Sequence, residues 1–204
     1  MIYFVTGNDK KWEEVKAIFG DKIQRAKIDL PETQGTIEEI AKAKCIYASR
    51  QLNGPCIIED TALVFDAMNG MPGPYIKWFL EAIGTEGLAK MAHSYLNSIQ
   101  VASTQDKHPD NLVSADLTIP TAKAICTMAY IDGPTSEPVI LQGVVDGQIV
   151  NPPRGPSNFG WDPIFQPANY CQTFAEMPKD LKNSISHRFL ALEALKNYLG
   201  SIIN

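Results

Sequence analysis

Hydrophobic and polar positions along this chain follow two periods, and the switches between them mark the elements. Ile2-Tyr3-Phe4-Val5 is a short β-rich apolar run closed by Gly7-Asn8, which predicts a buried strand. From about Asp9 the period becomes helical. Trp12, Val15, Ile18 and Phe19 form one stripe, with Asn8 placed as N-cap and Gly20 as the stop. Residues 23–28 fit a second strand. Thr36-Ile37-Glu38-Glu39 is a capping box that opens a helix running to about Leu52. Cys56-Ile57-Ile58 is apolar without alternation, as in a strand buried on both faces. Strand, helix, strand, helix, strand predicts an α/β fold on a central sheet.

The second half reads differently. Asn69 to Pro74 is a turn-rich loop. Tyr75 to Ile83 and Glu86 to Ala92 carry helical patterning. Residues 93–121 are polar, contain Pro109 and Pro120 and show no clear period, so they are expected to form a surface insertion. Lys123 to Ile131 and Val139 to Val150 read as strands. Asp146-Gly147, between Val144-Val145 and Ile149-Val150, predicts a hairpin turn. Arg154 to Asp162 is a second Gly/Pro loop. Ser186 to Leu199 is the closing helix, with Phe189, Leu192, Leu195 and Leu199 inward and Gly200 as its stop. Parallel-type strands first and antiparallel strands later predict one two-lobed α/β domain over residues 1–204. Its expected form is a central mixed twisted sheet, flanking helices and an active-site cleft between the lobes.

Composition then removes several classes. With 204 residues, 45% of them hydrophobic and 20% charged, the chain is an ordinary globular one. A chain of this size buries roughly 70% of its unfolded surface and needs no disulfide or structural metal. The net charge of −5 argues against general binding to nucleic acid or membrane surfaces. Cys45, Cys56, Cys126 and Cys171 form no C-x-x-C pair, and His93, His108 and His187 lie at no zinc-ligand spacing. There is no apolar leader or membrane-length run, so the expected location is the cytoplasm.

Four places carry chemistry. Thr6-Gly7-Asn8-Asp9-Lys10-Lys11 lies where a strand gives way to a helix. There, outward N–H groups and the helix dipole favour an anion, and Gly7 admits close approach. The spacing is neither that of a Walker A loop nor G-x-G-x-x-G. Glu59-Asp60-Thr61 follows a buried run, expected at the C-terminal edge of a sheet where α/β folds bind ligands. Adjacent acids there suit Mg²⁺, and Glu32 on a stiff loop could add a ligand. Lys44 completes the inward stripe of Ile37, Ile40, Ala41 and Ala48, so its cation should reach an acid or a bound anion. The later loops offer Phe159-Gly160-Trp161-Asp162, suited to stacking on a base, and Lys182 to Arg188 with donors and charge. Cations placed beside loops in an acidic protein, together with a few acids, suit a phosphorylated small molecule with a metal.

These residues resemble the inosine triphosphate pyrophosphatase family, and its eukaryotic members above all. The resemblance is carried in order by Phe4-Val5-Thr6-Gly7-Asn8, Glu59-Asp60-Thr61-Ala62-Leu63, Gly73 to Phe79, Phe159 to Phe165 and Ser186-His187-Arg188, over essentially the whole chain. It implies a two-lobed homodimer that hydrolyses ITP, dITP and XTP to the monophosphate and pyrophosphate with Mg²⁺, or Mn²⁺ as a substitute. It implies Thr6, Gly7, Asn8, Asp9, Lys10 and Lys11 as the phosphate-binding loop. Glu32 and Asp60 are implied as metal ligands, and Asp60 also as the base for water. Lys44, Lys77 and Lys182 are implied as substrate-contacting lysines beside Thr61. Phe159, Gly160, Trp161, Asp162, His187 and Arg188 are implied as the base pocket. The segment 93–121 departs from the family by its length. Two rival readings are a related pyrophosphatase for other modified nucleotides and a nucleotide-binding module without turnover.

Overall fold

The computed structural model describes residues 1–105, 119–157 and 160–200. In chain order the elements are β1 (Ile2–Val5), α1 (Asp9–Phe19), β2 (Ile23–Ala26), α2 (Ile37–Leu52), β3 (Cys56–Phe65), β4 (Pro72–Gly73) and α3 (Ile76–Gln105). There follow β5 (Thr121–Ile131), β6 (Val139–Ile149), β7 (Phe165–Pro167), α4 (Lys179–Ile185) and α5 (His187–Gly200). The strands form one open sheet in the order β2-β1-β3-β5-β6-β7, with β4 paired to β3. β1 runs parallel to β2 and β3, whereas β3–β4 and β6–β7 are antiparallel. The mixed α/β class read from the sequence is the class the chain adopts.

Contacts divide the chain into two compact units. The first comprises Met1–Thr61, Ile125–Val144 and Ile185–Asn204, the second Ala62–Ala124 and Val145–Ser184. In the first unit, strand alternation separates two apolar faces. Ile2, Phe4 and Ile23 pack with Val15 of α1 and with Leu192, Leu195 and Leu199 of α5. Val5 and Ile58 point the other way, onto Ala41, Cys45 and Ala48 of α2. Each fully buried large side chain here contributes roughly 1.5–3 kcal/mol. Both helices on which the site depends start as their sequences dictate. Asn8 Oδ1 accepts the N–H groups of Lys10 and Lys11 at 3.0 and 3.2 Å. Thr36 and Glu39 exchange reciprocal bonds of 2.8 and 3.2 Å, the capping box that was expected.

In the second unit an aromatic chain organises the packing. Trp161 and Phe165 meet edge to face with ring centroids 5.7 Å apart, and Phe165 and Phe174 form a tilted pair at 5.0 Å. Leu88, Ala89, Ala92 and Leu96 of α3 are buried.

Four local expectations are corrected. Asp146-Gly147 is not a turn, because β6 runs unbroken through it and pairs Gly147 with Pro167 of β7. The glycine answers to close packing: a Cβ there would lie 2.5 Å from the Gln166 carbonyl oxygen and 2.6 Å from the Phe165 ring. β3 does not end at Asp60 but continues to Phe65, because β4 pairs with its far half through Leu63 and Val64. The helix α3, kinked at Gly84, continues into the polar segment as far as Gln105. Leu96 is buried there and a His93 ring nitrogen lies 2.9 Å from the Ile149 carbonyl oxygen, so tertiary contacts hold the first turns of a segment with no apolar period. The last helix takes in Gly200 rather than stopping before it. Residues 106–118, the remainder of the expected insertion except for its last three positions, lie outside the described residues.

Candidate active site

β1 and β3 are parallel neighbours, with Val5 opposite Ile58. Thr6 follows Val5 and Glu59 follows Ile58, so the Thr6–Lys11 turn and the acids leave this pairing at the same end. The reading of Glu59-Asp60 as an edge therefore holds relative to β1, although β3 itself goes on. Lys11 ties the two segments together, with Nζ 3.3 Å from the Glu59 carbonyl oxygen.

The turn is strongly self-bonded. Thr6 Oγ1 accepts the N–H of Asn8 at 3.1 Å, and Asn8 takes those of Lys10 and Lys11. Three of the backbone donors expected to face an anion are thus already satisfied by side chains. Gly7 has no atom within 4 Å of where a Cβ would stand and no unusual backbone angle, so neither packing nor conformation demands a glycine there. Open space at a glycine beside two lysines is what a bound phosphate would use.

Lys44 stands on the buried face of α2, as its helical spacing predicts, and is 7% exposed. Its Nζ lies 2.8 Å from Glu32 Oε2 and 3.0 Å from Asp60 Oδ2. Burial opposes its charge, but Asp60 and Glu32 outweigh burial and hold its pKa above the usual lysine value. Two carboxylates from separate segments therefore converge on one cation. Among the described residues no group of three or more His, Cys, Asp and Glu side chains could hold a metal by itself. Two carboxylates completed by substrate phosphates and water are a normal Mg²⁺ ligand set.

Glu59 points the other way, into a buried ionic cluster. Arg188 Nε lies 3.1 and 3.3 Å from its two carboxylate oxygens, and Lys11 Nζ 3.2 Å from Oε1. Glu14 of α1 completes the set at 3.2 Å from Arg188 Nη1. Burial pushes the Glu59 carboxyl up, and the Lys11 and Arg188 charges pull it down further, to a net value below the usual one. Arg188, expected in a base pocket, has Nε, Nη1 and Nη2 all directed at carboxylates. His187 beside it is 4% exposed. Ser186 Oγ accepts the N–H of Phe189, so this serine caps α5.

In the second unit Lys182 of α4 pairs with the buried Asp162, and its Nζ lies 5.5 Å from the Phe174 ring centroid. Trp161 is packed on Phe165. Gly160 has φ 49° and open space at its Cβ position. Lys77 at the start of α3 stands over the exposed Trp78 ring at 4.9 Å. Phe159 lies outside the described residues.

Two residues at the first unit's site escaped the sequence reading. Glu14 sits among the apolar stripe positions Trp12, Val15 and Ile18, yet bonds inward. Arg25 shares a face of β2 with the buried Ile23, and a charge two positions from a core residue in a strand was the available signal.

The chain is similar to known proteins over nearly its whole length. A family model described as the Ham1 family matches residues 2–198. A protein of Emericella nidulans named inosine triphosphate pyrophosphatase is 48% identical over 200 residues, 97% of this chain and 96% of that one. One of the same name from Ajellomyces capsulatus is 48% identical over 201 residues, 98% and 96% of the two chains. Among solved structures, a HAM1 protein from Coxiella burnetii is similar at TM-score 0.75 and 29% identity over 98% of both chains. The Staphylococcus aureus Ham1 protein is similar at TM-score 0.73 and 26% identity, covering 99% of this chain and 100% of that one.

Proposed function

The chain belongs to the Ham1 family, and we propose that it hydrolyses non-canonical purine nucleoside triphosphates (ITP, dITP and XTP) to the monophosphate and pyrophosphate. The observation that carries this reading is the convergence of Glu32 and Asp60 on the buried Lys44, beside a turn suited to phosphate. We assign Glu32 and Asp60 as ligands of Mg²⁺, with Mn²⁺ able to replace it. The metal, when bound, neutralises phosphate charge and favours departure of pyrophosphate.

This chain's own residues do the rest. Asp60 orients the attacking water at the α-phosphorus and accepts its proton, and Lys44 holds that carboxylate in place. Lys10 and Lys11, with the Thr6-Gly7-Asn8 turn, attract and fix the polyphosphate, and Thr61 lies next in the strand. Pre-placed cations of this kind stabilise the charge that develops on the leaving group. Trp161, Asp162, Lys182, Lys77, Phe159 and Gly160 are assigned to substrate binding by their resemblance to the family's residues, and His187 to the purine. Arg188 is assigned to hold Glu59, and through it Lys11. The same resemblance supports a homodimer and a cytoplasmic location. Among the described residues no helix is long and apolar enough to cross a membrane.

Release of pyrophosphate from ITP, with ATP and GTP alongside and Mg²⁺ present, tests the proposal. Pyrophosphate release from ITP well above that from ATP supports it. A folded protein that releases none from any non-canonical purine triphosphate overturns it.

A further inference from the structure

The Thr6–Lys11 turn contains an acid at the place where a polyphosphate is to bind. Asp9 begins α1 and is exposed. A carboxylate beside a triphosphate repels it and subtracts from the charge that Lys10 and Lys11 bring to the turn. The offset comes from the neighbouring strand. Arg25 stands opposite Phe4 in the parallel β1–β2 pairing, and its side chain extends past the end of β1. Its Nη1 lies 2.6 Å from Asp9 Oδ1, and its Nε donates to the Thr6 carbonyl oxygen at 3.1 Å. One guanidinium thus holds the turn at two points, Thr6 and Asp9. Its remaining nitrogen, Nη2, is buried without a hydrogen-bond partner among the described residues. A lysine would leave no such orphan, but it could not reach two acceptors in one plane, as the fork of an arginine does.

We infer that Arg25 is a positioning residue for polyphosphate binding: it cancels the charge of Asp9 and fixes the Thr6 carbonyl, so that Lys10 and Lys11 meet the phosphates with no opposing charge between them. It acts through the turn and not on the substrate, since its free nitrogen is buried. This inference rests on the assignment of the turn to phosphate under the proposed function.

The two interactions predict an order that a purely structural role would not give. With Arg25 removed, Asp9 is left unpaired beside the phosphates. Removing Asp9 as well should then repair much of the damage. Arg25→Ala, Asp9→Ala and the double variant would be compared with wild type for KM and kcat on ITP with Mg²⁺, with circular dichroism of each. The expected result is a KM raised at least tenfold in Arg25→Ala with kcat within threefold, and a KM in the double variant at least threefold lower than in Arg25→Ala. Arg25→Lys should fall between wild type and Arg25→Ala. A double variant no better than Arg25→Ala, or an Arg25→Ala KM within threefold of wild type, overturns the inference. If Arg25→Ala does not fold, Asp9→Asn in the wild-type background decides: a lower or unchanged KM supports the charge argument, and a KM raised more than threefold overturns it. Lys10→Ala/Lys11→Ala separates the two failures. A KM insensitive to that pair shows that the turn does not hold phosphate, whereas a sensitive KM with an indifferent Arg25 rejects only the role of Arg25.

Discussion

Arg188 and Glu59, 129 residues apart, lie side by side in the first unit, with Arg188 Nε 3.1 Å from Glu59 Oε1 and Nη2 3.1 Å from the same oxygen. Neither side chain is more than 6% exposed. A pair this buried costs much to assemble, and far more to leave half made.

Arg188→Ala should therefore destabilise the fold by about 3 kcal/mol or more, because Glu59 keeps only Lys11 as a counter-charge. For a chain of this size that corresponds to a fall in Tm of roughly 6–12 °C. Thermal unfolding at neutral pH measures it, and a fall under 2 °C would show that the pair is energetically idle.

The same pair sets a pH dependence. Glu59 has a folded pKa below its ordinary value of 4.5, because Lys11 and Arg188 outweigh the burial that raises it. A depressed carboxylate contributes stability that is complete above the unfolded pKa and lost as pH falls through the folded one. Glu59 thus contributes to acid unfolding below about pH 4.5. In Arg188→Ala the acid midpoint should move upward, and circular dichroism against pH would detect the shift. A midpoint that stays put or moves downward contradicts the assignment.

Asp60→Asn should nearly abolish turnover with the fold intact. Losing this one charge is expected to cost at least 100-fold in kcat, about 2.7–4 kcal/mol, the scale of a key electrostatic group. The variant keeps the Lys44–Glu32 contact of 2.8 Å, so circular dichroism should match wild type. Activity within tenfold of wild type would remove Asp60 from the mechanism.

Base selectivity should fall on His187. ITP and ATP share a triphosphate and differ at purine C6, a keto acceptor in one and an amino donor in the other. A donor placed there discriminates by leaving a buried mismatch with the wrong base. The nitrogens of Arg188 are turned to Glu59 and Glu14, so Arg188→Ala should lower stability without narrowing the ITP-to-ATP ratio. His187→Ala should narrow a ratio of at least a hundredfold in kcat/KM. Equal kcat/KM for ITP and ATP in the wild-type enzyme would remove the pocket assignment.

Shortening of the 93–121 segment should be tolerated only in part. His93 and Leu96 have buried or bonded partners, so deletions that begin at residue 93 should lower Tm. Replacing residues 106–118 by a short Gly/Ser linker should leave kcat/KM within threefold, since loop length alone costs little entropy. A large loss in a folded variant would assign the segment a part in catalysis.

The chain by itself determined what depends on neighbours a few residues away. Asn8 and Thr36 cap α1 and α2 because each hydroxyl or amide oxygen reaches backbone N–H groups two or three positions on. Helical spacing likewise put Lys44 on the inner face of α2, and with it the need for an acid. The partners were a tertiary matter. Glu32 and Asp60 come to Lys44, and Arg188 to Glu59, only when the sheet and the closing helix assemble. Arg25 gained its place the same way, by the parallel register of β1 and β2. Asp146-Gly147 shows the reverse, a local turn signal overruled because the missing side chain makes room for Phe165 and Gln166 of β7. Local hydrogen bonds and periodicity fix the direction in which a side chain points. What it meets there is set by strand pairing and burial between segments far apart in sequence, and their closure is governed by the energy of the whole fold.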